Sequence, residues 1–143
     1  MNPTWRCLFW VQSLLGSGHL RRALLVAEAM AARGIAVTLV NGGLPGPWPA
    51  PAGVTLQQLP PIAARDITFS GLADVAGAPV SSDLWRERQR MLVGLVARVR
   101  PQLVVTEMFP FGRRAFRGEV RALLEAGREF EPRPIVLASV RDI

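Results

Sequence analysis

This 143-residue chain contains five short apolar runs, which are separated by stretches of helical periodicity or by loops. The first run is rich in aromatic residues and the others in β-branched residues, which is typical of buried parallel strands. The runs cover residues 5–12, 35–40, 54–59, 103–106 and 135–140. Because each has the length of a strand and few polar positions, we predict five strands of one sheet.

Three further segments carry apolar residues at helical spacing. Residues 20–33 form the first, and Gly34 follows at the position of a C-cap glycine. The second covers residues 84–100, with Asp83 as its predicted N-cap. Its polar face carries Arg86, Arg88, Arg90, Arg98 and Arg100. The third helix is predicted from Arg113 to about Phe130.

Strands that alternate with helices predict an α/β fold with right-handed crossovers. We expect a doubly wound, Rossmann-like parallel sheet with strand order 3-2-1-4-5. Ligands of such sheets bind beyond the carboxyl ends of the strands where the order reverses, here between strands one and four. Residues 16–22 follow strand one and residues 107–114 follow strand four. These two loops are therefore predicted to be neighbours across a crevice.

The remaining segments contain many breakers of regular structure. Residues 44–53 are rich in proline and predict a surface loop, and residues 62–82 are irregular. The sequence stops just after the fifth strand, where a connection to a further helix is normal. We therefore expect residues 1–143 to be one domain of a longer polypeptide.

The composition excludes several functions. All 17 basic residues are arginine, so the lysine that a P-loop needs is missing, and the formal net charge is +6. Cys7 and His19 are the only cysteine and histidine, which excludes a structural zinc site and an internal disulfide. Cys7 lies in the first strand and is predicted to be a core residue. No apolar run approaches the about 20 residues of a membrane span, and no signal peptide is recognised. We expect a cytoplasmic location.

The turn Gly16-Ser17-Gly18 lies between the first strand and the first helix, where free N–H groups attract anions. Arg21 and Arg22 are predicted in the first turn of that helix, and Arg113 and Arg114 in the first turn of the third. A cation there is unfavourable by roughly 0.3–1 kcal/mol, so its repetition at two facing loops indicates a phosphate or diphosphate ligand. Alternatively, the arginines extend into solvent.

A dinucleotide site is the competing interpretation of the glycine turn. Arg21 occupies the place of the third glycine of the fingerprint, and Asn41 stands where strand two should end in an acid. Both departures disfavour a dinucleotide-dependent oxidoreductase.

His19 lies at the start of the first helix, whose dipole favours the neutral imidazole. A neutral imidazole in a crevice can act as a general base toward a hydroxyl. Glu107 and Asp142 follow strands four and five and could orient His19 or bind substrate hydroxyls. The alternatives are a structural histidine and acids that cap helices or lie on the surface.

Three segments resemble a group of predicted bacterial glycosyltransferases similar to glycosyltransferase family 28. They are residues 16–22 (GSGHLRR), residues 106–114 (TEMFPFGRR) and residues 139–143 (SVRDI). The second is the most specific, and it contains Phe109, Gly112, Arg113 and Arg114. The resemblance implies a GT-B architecture of two Rossmann-like domains, of which this chain is the N-terminal, acceptor-binding half, without its C-terminal donor domain.

The same resemblance implies roles for the site residues. His19 would deprotonate the acceptor hydroxyl in an inverting transfer, and the glycine turn would lie against a diphosphate. It implies a nucleotide-sugar co-substrate, no tightly bound metal or cofactor, and a sugar or lipid-linked acceptor rather than nucleic acid. The chain alone would be inactive.

The resemblance further implies surfaces for partners. Arg86, Arg88 and Arg90 would meet the inner face of an anionic membrane, unless they form an ordinary solvated helix face. An exposed interdomain face could support a homodimer. The alternative function is a non-catalytic Rossmann-like module that binds a phosphorylated ligand or a partner protein.

Overall fold

A computed structural model describes residues 4–68 and 70–141. In these residues the chain forms seven strands, three α-helices and one 3-10 turn. The strands are β1 (Trp5–Val11), β2 (Ile35–Asn41), β3 (Val54–Gln58), β4 (Ala63–Ala64), β5 (Leu72–Ala73), β6 (Leu103–Glu107) and β7 (Ile135–Ser139). The helices are α1 (Gly18–Ala32), α2 (Ser82–Val99) and α3 (Arg117–Arg128), and the 3-10 turn covers Arg114–Phe116.

The main sheet has the order β3-β2-β1-β6-β7, and every pair of neighbouring strands is parallel. The predicted fold class and strand order are therefore confirmed. Strands β4 and β5 form a separate antiparallel ribbon within residues 62–82, for which the sequence predicted no regular structure. The proline-rich residues 44–53 form a loop, as predicted.

Strand β1 supplies the hydrophobic cores on both faces of the sheet. Leu8 and Trp10 point into the core that α2 and α3 cover, and Cys7, Phe9 and Val11 point into the core under α1. Successive strand residues face opposite sides, so a strand covered on both faces must be apolar throughout. This explains the continuous apolar run in the sequence.

Arg88 is fully buried between α2, α3 and the sheet, and all five of its N–H groups donate hydrogen bonds. Nε and Nη2 donate to the two carboxylate oxygens of Glu119, at 2.9 and 3.1 Å. Nη1 donates to the backbone carbonyls of Gly42 and Pro60, both at 2.8 Å. Nη2 also donates to Oε1 of Gln12, at 2.8 Å.

The sequence-based placement of Arg88 on an exposed basic face is therefore wrong. Its neighbours Arg86 and Arg90 are exposed, so the basic surface of α2 is smaller than predicted. In the described part of the chain, no helix is long and apolar enough to cross a membrane.

Two predicted helix starts also differ from the structure. Helix α2 begins two residues earlier than Asp83 implied, because the hydroxyl of Ser81 accepts a hydrogen bond from the Leu84 amide at 3.1 Å and caps the helix. Arg113 precedes the third helix instead of forming its first turn. It adopts a left-handed backbone with φ of 61°, and the 3-10 turn then leads into α3 at Arg117.

Replacing Arg88 with Met should destabilise the protein strongly, because Glu119 would keep a buried charge without its cation. We expect a loss of about 3–5 kcal/mol in the free energy of unfolding, measured by chemical denaturation. Arg90→Met, on the exposed face of the same helix, is the matched control and should change it by less than about 0.5 kcal/mol. Equal denaturation midpoints for the two variants would contradict the assignment.

The Cys7 thiol should be inert in the folded protein. It is fully buried, and burial raises its pKa from 9.0 to about 12. An aromatic disulfide reagent at pH 8 should therefore label no thiol until denaturant is added, and then one. The unfolded thiol ionises above pH 9.0 while the folded one stays protonated, so this contribution to stability falls as the pH rises from about 9 toward 12.

Candidate functional site

The carboxyl ends of β1 and β6 carry the two loops that the sequence predicted to be neighbours. Glu107 is the last residue of β6, and His19 is the second residue of α1. The Nδ1 atom of His19 lies 2.9 Å from Oε1 of Glu107, so the loops do meet where the strand order reverses.

Glu107 is bonded to a different partner at each carboxylate oxygen. Oε1 meets His19, and Oε2 accepts a hydrogen bond from Nη1 of Arg22 at 2.9 Å. The Glu107 side chain is 0% exposed, whereas the side chains of His19 and Arg22 are 20% and 34% exposed. A buried acid thus contacts two side chains that reach solvent.

This contact fixes how the His19 ring can react. An ionised carboxylate only accepts hydrogen bonds, so Nδ1 must carry the hydrogen and Nε2 keeps its lone pair when the ring is neutral. Among the described residues, Nε2 has no hydrogen-bond partner. The ring therefore presents a free proton acceptor at the partly exposed side of the site.

Arg22 connects the site to the end of β7. Besides Glu107, it donates to Oγ of Ser139 at 3.2 Å and to the Val140 carbonyl at 3.1 Å. From the sequence, Arg22 was predicted to be a cation in the first turn of the first helix, and this contact was not predicted. Its spacing of three residues from His19 was the available signal, because such residues share one helix face.

The glycine turn leaves the amino end of α1 open. Gly16 has φ of +63°, and a Cβ added at Gly16 or Gly18 would meet no heavy atom within 4 Å. The Leu20 amide donates to Oγ of Ser13 at 3.2 Å, and the Arg21 amide donates to the Ser17 carbonyl. Within residues 4–68 and 70–141, the amides of Gly18 and His19 have no partner. These two N–H groups are available to an anion.

Arg113 and Arg21, both predicted to bind phosphate, have different surroundings. Arg113 is half-buried, and its Nε donates to the Gln12 carbonyl at 2.6 Å. Burial lowers the pKa of its guanidinium, and the negative charge of Glu107 opposes that shift. Arg21 is exposed and lies over the Trp48 ring, with Cζ 5.4 Å from the ring centroid. Of these two arginines, Arg113 is thus the one placed beside Glu107.

The other predicted residues shape the loop after β6 or lie outside the site. The Phe109 carbonyl accepts a hydrogen bond from Oγ1 of Thr106 at 2.9 Å, and the Gly112 amide donates to the Met108 carbonyl at 2.7 Å. Arg114 is exposed beside the Pro110 carbonyl.

Asp142 lies outside the described residues. Within the part of the chain that the structure describes, no three His, Cys, Asp or Glu side chains are grouped to hold a metal ion.

The chain is similar in fold to a plant enzyme among the solved structures. UGT2 of Phytolacca americana, solved with UDP-2fluoro-glucose and pterostilbene, aligns with a TM-score of 0.55 and 16% identity. Its apo form aligns with a TM-score of 0.54 and 17% identity. The alignments cover 98% and 95% of this chain but 31% and 30% of the plant chain. The chain therefore spans about a third of the length of UGT2.

A further alignment comes from a different kind of protein. The C-terminal domain of a hydrogenase from Pyrococcus furiosus aligns over 99% of this chain and 94% of its own, at 14% identity and a TM-score of 0.49. No protein-family model matches the sequence, and no curated protein does. At their identities, the two alignments with UGT2 establish a shared fold.

Inorganic pyrophosphate should raise the melting temperature of the protein, because the amides of Gly18 and His19 and the Arg113 guanidinium can share its charge. At tenfold its Kd the stabilisation is about 1.4 kcal/mol, or a few degrees. Arg113→Gln should lose most of this shift, each variant being compared with its own ligand-free melting temperature. Arg121→Gln, exposed on α3, should keep it. An equal shift in the two variants would exclude Arg113 from the site.

Proposed function

We propose that the chain is the acceptor-binding half of a nucleotide-sugar-dependent glycosyltransferase, with His19 as its general base. The observation that carries the proposal is the His19–Glu107 pair, which leaves Nε2 without a partner among the described residues and lies at the carboxyl ends of β1 and β6, where the sheet order reverses. The fold shared with UGT2 supports this proposal. Because the chain covers about a third of the length of UGT2, a complete transferase would need further segments.

In the proposed reaction, Nε2 of His19 accepts the proton of an acceptor hydroxyl. The hydroxyl oxygen then bonds to the anomeric carbon as the bond from that carbon to the diphosphate oxygen breaks, and the electron pair leaves with the nucleotide diphosphate. Direct displacement of this kind inverts the anomeric centre. Glu107 stabilises the imidazolium that forms and holds the ring in one orientation.

The leaving diphosphate would be met by the open end of α1. The amides of Gly18 and His19 and the half-buried guanidinium of Arg113 can stabilise its growing charge, more strongly than exposed groups could. This assignment uses no metal, and the nucleotide-sugar is a co-substrate that the proposed donor domain would hold.

The proposed acceptor is a sugar or a lipid-linked molecule, met in the cytoplasm. A lipid-linked acceptor would bring the protein to the inner face of a membrane. Arg86 and Arg90 remain exposed beside the apolar side chain of Val93 and support such an approach, although Arg88 takes no part in it.

His19→Ala should lower kcat by about 10²–10⁴-fold in the polypeptide that carries both halves, because the general base is lost. The KM for the nucleotide-sugar should change little. Glu107→Gln should also lower kcat, since a neutral amide stabilises the imidazolium poorly. The measurement is the release of nucleotide diphosphate in the presence of a hydroxyl acceptor.

The exposed Arg121→Gln is the control and should keep the wild-type rate. Undiminished turnover in His19→Ala would exclude His19 as the base. Pyrophosphate binding without any transfer would instead favour the non-catalytic binding module.

A further inference from the structure

We infer that Arg22 is a positioning residue, which holds the Glu107 carboxylate so that His19 keeps its hydrogen on Nδ1. This inference rests on the proposed function for its kinetic consequence, but its structural consequence can be measured without any substrate.

The Glu107 carboxylate is held by two neighbouring side chains. A carboxylate held at one oxygen can still rotate about its terminal torsion, which is soft. In Glu107 both oxygens are held, Oε1 by His19 and Oε2 by Arg22, each at 2.9 Å. Nη1 of Arg22 also donates to Ser139, which lies opposite Glu107 in the register of β6 and β7. Arg22 is thus fixed against two neighbouring strands, and it fixes the carboxylate plane in turn.

The direction of the hydrogen bond between Glu107 and His19 decides which ring nitrogen carries the hydrogen. A carboxylate accepts from Nδ1, which leaves the lone pair on Nε2. A neutral carboxylic acid would instead donate a hydrogen bond to an unprotonated Nδ1, and the neutral ring would then carry its hydrogen on Nε2. That second tautomer cannot accept a proton from a hydroxyl. Nη1 of Arg22 can only donate, so the Oε2 atom that it meets is an acceptor, as both oxygens of a carboxylate are, and this arrangement matches the useful tautomer.

Three of the five N–H donors of Arg22 are already used. Nη1 donates to Glu107 and Ser139, and Nη2 donates to the Val140 carbonyl, so the guanidinium is anchored to the edge of the sheet. The adjacent Arg21 contrasts with it, since Arg21 lies on the Trp48 ring and has no acidic partner in the described residues. The two neighbouring arginines therefore have different roles.

The test uses the fact that His19 is the only histidine of the chain. Protein labelled with ¹⁵N-histidine reports a single ring, whose two nitrogen chemical shifts distinguish the tautomers. In the wild type at a pH where the ring is neutral, we expect a protonated Nδ1 and an unprotonated Nε2. Arg22→Gln should shift both signals toward averaged values. Arg22→Lys should retain most of the wild-type pattern, because it keeps the charge.

Arg21→Gln is the matched control for the ring signals and should leave them unchanged. Far-UV circular dichroism and protection of the Cys7 thiol verify that each variant is folded. If Arg22→Gln does not fold, Arg22→Lys still tests the inference. Its two ring nitrogen shifts must then match those of the wild type. A protonated Nε2 in the wild type, or an unchanged pattern in folded Arg22→Gln, would overturn the inference.

The kinetic arm separates positioning from binding. Arg22→Gln should lower kcat by about 10²-fold, as expected for a misplaced catalytic group, and should leave the KM for the nucleotide-sugar within about twofold. A raised KM with unchanged kcat would assign Arg22 to substrate binding and overturn the inference. If His19→Ala retains full turnover, His19 is not the base, whereas the ring signals still decide whether Arg22 positions Glu107.

Discussion

The guanidinium of Arg88 is the constraint on which the carboxyl end of the sheet depends. A buried cation is costly unless it is paired and all its donors are satisfied, and here every N–H group has an acceptor. Those acceptors belong to α3 and to the chain just after β1, β2 and β3. Displacing α2 or α3 from the sheet would therefore leave charges unpaired inside the protein. The pair formed with Glu119 fixes the frame against which the site is built.

Gln12 transmits this constraint to the candidate site. Its side-chain oxygen accepts from Arg88, its side-chain amide donates to the Ile62 carbonyl at 2.7 Å, and its backbone carbonyl accepts from Arg113. The close approach also explains the need for glycine at position 42, because a Cβ there would lie 2.2 Å from Oε1 of Gln12. One residue at the end of β1 thus orders both the buried network and one wall of the crevice.

The sheet could be predicted from the sequence because its signals are local. Continuous apolar runs mark strands covered on both faces, and the alternation with helices indicates a parallel, doubly wound sheet, whose usual strand order brings the two loops together. The burial of Arg88 could not be predicted from the sequence. Its helical spacing is that of a surface arginine, and its side-chain partners lie 31 and 76 residues away. The role of Arg22 lies between these cases: its helix face was predictable, but its contact with Ser139 depends on the register of β7.

The two buried acids of this sheet edge differ in a way that bears on function. The Glu119 carboxylate accepts three hydrogen bonds from buried donors, two from Arg88 and one from the indole of Trp10. All of these contacts stabilise the core. Glu107 is equally buried, yet one of its oxygens holds a histidine ring that reaches solvent. Arg22 supplies a cationic partner at Oε2 of Glu107, and the other oxygen orients the His19 ring. That contact leaves Nε2 without a partner among the described residues, at the edge of the sheet where ligands of this fold bind.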